Sequence, residues 1–126
     1  GFITYDNEAK IKLGVDRDII NKFGAVSAET VKRMAEKGLE KSGADICASI
    51  SGIAGPEGGS LEKPVGTVWI GVTKGKSENV SDAYCFRFSG SRAEIREKAA
   101  QASLLVLCRT LSGRPGVDSN IFEYYI

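Results

Sequence analysis

The stretch 49–67 restricts this chain more than any other. An apolar run (Ile46, Ala48, Ile50) feeds into it and a second (Val68, Trp69, Ile70, Val72) leaves it. Between them lie five glycines, Gly52, Gly55, Gly58, Gly59 and Gly66, and two prolines, Pro56 and Pro64. Glycine loses more conformational freedom on ordering than any other residue. Its density between two buried strands is therefore expected where backbone N–H groups must approach a ligand closely. Loops at strand ends of α/β sheets are common sites for small anions. The same composition also suits a plain flexible surface loop. Two familiar phosphate loops do not fit. No Gly-Lys-Ser or Gly-Lys-Thr triplet follows, and the stretch leads into a strand rather than a helix. The residues alone define a candidate anion or nucleotide site.

Composition narrows the chemistry. A length of 126 residues suffices for one domain with one core, and a net charge of +1 exerts no pull toward nucleic acid or membrane. No apolar run approaches the roughly 20 residues of a membrane-spanning helix, and no signal-peptide pattern opens the chain. Histidine is absent. A Ser-His-Asp triad, a Cys-His pair and a His-ligated metal are thereby excluded within the chain. Hydrolysis would need another base, and a lysine of lowered pKa is the usual substitute. Cys47, Cys85 and Cys108 are widely spaced, without a Cys-x-x-Cys pair. They read as buried thiols of a cytoplasmic protein. The first residue is Gly1 and the only methionine is Met34, so the chain is expected to begin after its natural start.

The opening residues 1–5, rich in aromatic and β-branched side chains, predict a strand. Asp6 or Asn7 then caps a short helix that carries Lys10. Tyr5, ending the strand, and Lys10, just past it, are the residues able to face a cleft, although composition alone fits ordinary surface positions. Asp16 and Gly24 bracket a second short helix. Ser27 opens a better one, with Val31, Met34, Ala35 and Leu39 on one face, and Gly43 closes it. Strands follow at 44–50, 66–73 and 80–88, the last two forming a hairpin around the turn 74–79. Ser91 and Glu94 form a capping box for the longest helix. Its buried stripe is expected to take in Ile95, Ala99, Ala102 and Val106, with Leu104, Leu107, Cys108 and Leu111 as a second set. Arg92 in its first turn reads either as a solvated cation or as an anion clamp. Residues 112–126 form a tail whose apolar end, 122–126, could dock on a neighbour or extend a sheet edge. The expected fold class is α/β, three-layer α/β/α with a small mixed, mostly parallel sheet.

Several blocks add a resemblance. Residues 1–10 (Gly-Phe-Ile-Thr-Tyr-Asp-Asn-Glu-Ala-Lys), 24–27 (Gly-Ala-Val-Ser), 51–60 and 63–69 resemble, in order, the CinA C-terminal domain family. The match runs to about Leu111, which sets a domain at 1–111 and leaves 112–126 outside it. Members of this family are bacterial nicotinamide-nucleotide amidases. They convert nicotinamide mononucleotide to nicotinate mononucleotide and ammonia without a metal or redox cofactor. The resemblance implies a serine nucleophile, with Lys10 or Tyr5 as base and backbone amides holding the oxyanion. It implies nucleotide binding by Ser51, Gly52, Ile53, Ala54, Gly55, Gly58 and Gly59, with Thr67 at the far end of the loop and a charged contact from Arg92. The implied partner is a small-molecule nucleotide, with no nucleic acid and no membrane, and a homo-oligomer is compatible. Asp6 stands where the family commonly has serine. The family's nucleophile lies in an Ala-Glu-Ser-Cys-Thr-Gly-Gly block ahead of the Gly-Phe-Ile-Thr-Tyr segment, and these residues contain no such block. The expectation is that a first strand and helix are missing from the 126 residues. The alternative is a catalytically inactive nucleotide-binding or regulatory module on the same fold.

Overall fold

The computed structural model of the chain describes residues 1–75 and 80–114. Within them run α1 (Asn7–Leu13), α2 (Arg17–Phe23), α3 (Ala28–Ser42), β1 (Ile46–Gly52), β2 (Thr67–Lys74), β3 (Val80–Arg87) and α4 (Arg92–Leu111).

The helix boundaries follow local chemistry. The Asp6 carboxylate accepts the Ala9 N–H at 2.7 Å and starts α1. The Ser27 hydroxyl accepts the Thr30 N–H to start α3, which ends at a left-handed Gly43. At α4 the Ser91 hydroxyl and the Glu94 carboxylate each take the other's backbone N–H, completing the expected capping box. Asp16 precedes α2 but does not cap it; its carboxylate accepts instead from Arg33 Nε of α3 at 3.1 Å.

The three strands are ordered β1-β2-β3, and both pairings are antiparallel. The α/β class holds, but the expectation of a mostly parallel sheet is corrected. A parallel neighbour requires a crossover, usually helical. The connection 53–66 contains no helix, so β2 can only return antiparallel to β1. Parallel pairing would have needed residues 1–5 as a strand joined to β1 through the helices. Those residues pair with no strand among the described residues, and Ile3 is 93% exposed. Their composition favours a strand, yet a strand exists only where a partner accepts its hydrogen bonds.

Helices cover both faces of the sheet. On one face Val68, Ile70, Val72, Phe86 and Phe88 meet Ile95, Ala99, Ala102 and Val106 of α4. Each Val, Ile or Phe side chain among them contributes on the order of 1.5–3 kcal/mol on full burial. On the other face α3 lies directly against β2. A Cβ at Gly71 would run into the Val31 carbonyl, and the Ser49 hydroxyl donates to that same carbonyl at 2.6 Å. Leu13 of α1, Val15, Ile20 of α2 and Met34 of α3 form a second apolar cluster on this side.

Half of the expected α4 stripe is buried. Leu104, Cys108 and Leu111 are exposed, because no described element lies over that side of the helix. Cys47 and Cys85 are only half-buried, so the reading of three buried thiols is corrected as well. The turn expected at 74–79 and the tail at 112–126 fall largely outside the described residues. Among the described residues no helix is long and apolar enough to cross a membrane.

Candidate active site

Lys10 sits in the middle of α1 on its inward side and is only 5% exposed. Its Nζ donates to the Thr4 carbonyl at 2.7 Å, and it forms no ion pair with any described residue. Burial lowers its pKa below the ordinary lysine value, and the nearby Asp6 carboxylate offsets this in part. The neutral amine, which has a lone pair, is thereby favoured. Tyr5 is placed differently. It lies 87% exposed on the segment before α1 and makes no hydrogen bond to a described residue. The structure separates these two candidates by exposure, and only Lys10 has the environment of a base.

The loop 53–66 is held at its root by its own backbone. The Ile53 N–H donates to Thr67, the Gly66 N–H to Ile53 and the Thr67 N–H to Pro64. Gly66 has φ +93°, and a Cβ there would collide with the Phe88 carbonyl. This glycine is required by contact between the loop and the end of β3, not by a ligand, which corrects part of the reasoning from glycine density. The N–H groups of Ala54, Gly55, Glu57, Gly58 and Gly59, by contrast, make no hydrogen bond to a described residue. Of these, Glu57, Gly58 and Gly59 are exposed, and neighbouring unpaired N–H groups of this kind are suited to an anion.

Three cations brace this loop, two from outside it and one from within. Arg92 donates to the Gly55 carbonyl at 2.9 Å. Arg87 donates to the Thr67 hydroxyl at 2.8 Å and to the Glu62 carbonyl at 3.2 Å. Lys63 reaches back to the Phe23 carbonyl at the end of α2, at 2.8 Å. Thr67 is 1% exposed, and its hydroxyl also donates to the Pro64 carbonyl at 2.6 Å. It is a strut at the base of the loop. Ser51 is another, since its hydroxyl donates to the Ala25 carbonyl at 2.8 Å. Ser60 closes a turn with Lys63. The bracing role of Arg87 was not anticipated from the sequence. Its place in the alternation of β3 put it beside Thr67, but that register appears only once the strands are paired.

Arg92 is therefore joined to the loop through a backbone carbonyl, a contact that neither sequence reading of this residue named. The helix end beside it is already occupied by the Glu94 carboxylate. The Ser91 backbone N–H bonds that carboxylate at 2.6 Å and, with the Ser91 hydroxyl, lowers its pKa. No hydrogen bond among the described residues links Lys10 to the loop. Amine and loop are two separate parts of one molecule, brought to no common contact by these residues.

The described residues thus form an α/β layer fold that carries a buried lysine bonded to a backbone carbonyl and a glycine loop braced by side chains. The chain belongs to the CinA C-terminal domain family, whose profile matches residues 1–111. It is 49% identical over 110 residues to the nicotinamide-nucleotide amidohydrolase PncC of Enterobacter agglomerans, covering 86% of this chain and 66% of that one. It is 49% identical over 108 residues to a CinA-like protein of Chlorobium limicola, covering 82% of this chain and 25% of that one. Among solved structures, the competence/damage inducible protein CihA from Agrobacterium tumefaciens superposes with a TM-score of 0.81 at 38% identity. That match covers 86% of this chain and 66% of the other. The chain spans about a quarter of the length of several curated relatives it matches.

Proposed function

We propose that these residues supply the base and the nucleotide-binding loop of a cytoplasmic amidase that converts nicotinamide mononucleotide to nicotinate mononucleotide and ammonia. The observation that carries this reading is Lys10, a buried amine with a carbonyl for its partner and a lowered pKa. The name of the Enterobacter relative supports the substrate.

In the reaction a serine hydroxyl attacks the carboxamide carbon while neutral Lys10 takes its proton. Lys10 then passes that proton to the departing nitrogen, which leaves as ammonia, and water hydrolyses the acyl-serine. The hydrogen bond to Thr4 fixes the amine while leaving its lone pair for the hydroxyl. The unpaired N–H groups of 54–59 bind the anionic part of the nucleotide. Arg92 holds the loop through Gly55 and offers its remaining N–H groups to the ligand. The serine belongs to a block that these residues do not contain. The second reading is an inactive nucleotide-binding or regulatory module on the same fold.

The test measures ammonia release from nicotinamide mononucleotide by a polypeptide carrying these residues together with a Ser-Cys-Thr-Gly-Gly block, with nicotinamide riboside as a control for the phosphate. Lys10→Ala is expected to lower turnover by about 100-fold or more while leaving the circular dichroism unchanged. Unchanged turnover removes Lys10 from the mechanism. Arg92→Ala is expected to raise KM more than it lowers kcat. Nucleotide binding without ammonia release, in the unsubstituted protein, selects the second reading.

A further inference from the structure

The loop 53–66 has two parts with different attachments. In 60–66 the chain is pinned closely. The Ser60 N–H donates to the Lys63 carbonyl at 2.9 Å, the Lys63 N–H donates to the Ser60 hydroxyl at 3.0 Å, and the Thr67 N–H donates to the Pro64 carbonyl. In 54–59 one described hydrogen bond, from Arg92 to the Gly55 carbonyl, holds the backbone. The place of the unpaired N–H groups is therefore set largely by the part that follows them. Two side chains locate that part. Arg87 ties the Glu62 carbonyl to the end of β3, and Lys63 reaches the Phe23 carbonyl at the end of α2. Among the described residues this is the one hydrogen bond between the loop and the α1–α2 pair. The contact is close-fitting: a Cβ at Gly24 would stand 3.1 Å from the Lys63 Nζ, so glycine there leaves the ammonium room. At the other end of α2 lies the backbone of Lys10. Its carbonyl accepts the Gly14 and Val15 N–H groups at 3.2 and 3.1 Å, which fixes the linker into α2, and Leu13, Val15, Ile20 and Met34 pack the two helices onto α3. α2 has seven residues, about 10 Å of helix. It is a spacer between the lysine-bearing helix and the glycine loop.

We propose that Lys63 is a positioning residue: its bond to Phe23 sets the spacing between the glycine loop and the helices that carry Lys10. The nucleotide of the amidase reading holds its carboxamide and its phosphate at opposite ends. One spacing lets the amine reach the first while the loop N–H groups hold the second, and a small displacement forfeits part of that fit. Arg87 and Arg92 join the loop to β3 and α4, which leaves its distance from α2 to Lys63. A ligand without the phosphate does not span the two parts and is indifferent to their separation. Lys63 therefore determines how much the phosphate adds to binding. The inference rests on the loop being the nucleotide-binding part, as in the amidase reading, but not on turnover.

The test uses the polypeptide of the ammonia assay and two unreactive probes, nicotinate mononucleotide and nicotinate riboside. In Lys63→Met, which keeps the apolar stem and loses the donor, the mononucleotide is expected to bind about tenfold or more weakly, and the riboside within about twofold of its original affinity. The backbone amide resonances of Gly55, Gly58 and Gly59 should shift in the ligand-free variant, because these groups move before any ligand arrives. Lys63→Arg still carries donors for the Phe23 carbonyl and should return the mononucleotide affinity to within about threefold, with the resonances moving back. Equal weakening of both probes makes Lys63 a structural residue only and overturns the proposal, as do no weakening and no rescue by arginine. Weaker mononucleotide binding with unmoved resonances places Lys63 on the phosphate itself and likewise overturns it. Ammonia release by the unsubstituted protein, with Lys63→Met binding both probes as before, overturns the positioning role and leaves the amidase reading standing. Selective loss of the mononucleotide in a protein that releases no ammonia supports the positioning role and overturns the amidase reading. Binding of neither probe by the unsubstituted protein overturns both.

Discussion

Burying an amine without a carboxylate to bond it makes charge the costly form, and Lys10 is in that position. The consequence is measurable without any substrate. The unfolded chain holds the Lys10 proton up to the ordinary value near 10.5, whereas the folded chain releases it at lower pH. Between the two values the unfolded state binds more protons, so stability rises with pH across that interval. Urea titrations from neutral pH up toward 10.5 should record this rise. In Lys10→Met, which keeps the apolar stem, the rise should be flatter, with a gain in stability on the low-pH side. An identical slope in both proteins would mean that Lys10 keeps its charge in the fold. The lysine was legible in the sequence only as a candidate. Its burial depends on how α1 turns toward Thr4, and residue spacing alone does not decide that.

At the scale of elements, the helices were the most legible part. Ser27, Asp6 and the Ser91–Glu94 pair announce helix starts because a side-chain oxygen there replaces a missing backbone partner, a purely local event. The same locality makes a prediction. Ser27→Ala removes the acceptor of the Thr30 N–H and a donor to the Gly24 carbonyl. It should lower the free energy of unfolding by about 1–2 kcal/mol. Urea denaturation should show the midpoint falling with the slope unchanged. A loss below a few tenths of a kcal/mol would mean the Thr30 hydroxyl, which also donates to Gly24, takes over the bond. Strands were less legible. Residues 1–5 have the composition of one, but strand formation is settled by a partner and not by the segment itself.

For the molecule as a whole, the loop 53–66 ties the sheet to both helical layers. Lys63 reaches α2, Arg92 comes from α4 and Gly66 lies against the carbonyl of Phe88. Gly66→Ala would add a Cβ at a positive φ where a carbonyl already stands. Strain and displacement together should destabilise the fold by roughly 2–4 kcal/mol. Thermal unfolding with the β2 and β3 amides monitored should show the loss spread over the sheet. A change confined to the loop would make the contact with Phe88 dispensable. The sequence marked this loop for its glycines and assigned their purpose to a ligand. The fold assigns Gly66 to the chain's own packing, while the N–H groups of Ala54, Gly55, Glu57, Gly58 and Gly59 make no hydrogen bond to a described residue.

The sequence by itself determined the helix boundaries, the two apolar strands around the glycine loop, the absence of imidazole chemistry and the family. All of these rest on residue identity or on partners a few positions away. The tertiary structure decided the direction of strand pairing and the burial that lowers the pKa of Lys10 while Tyr5 stays in solvent. It also decided which cations brace the loop. Each of these depends on contacts between residues distant along the chain, and local propensity carries no information about such contacts.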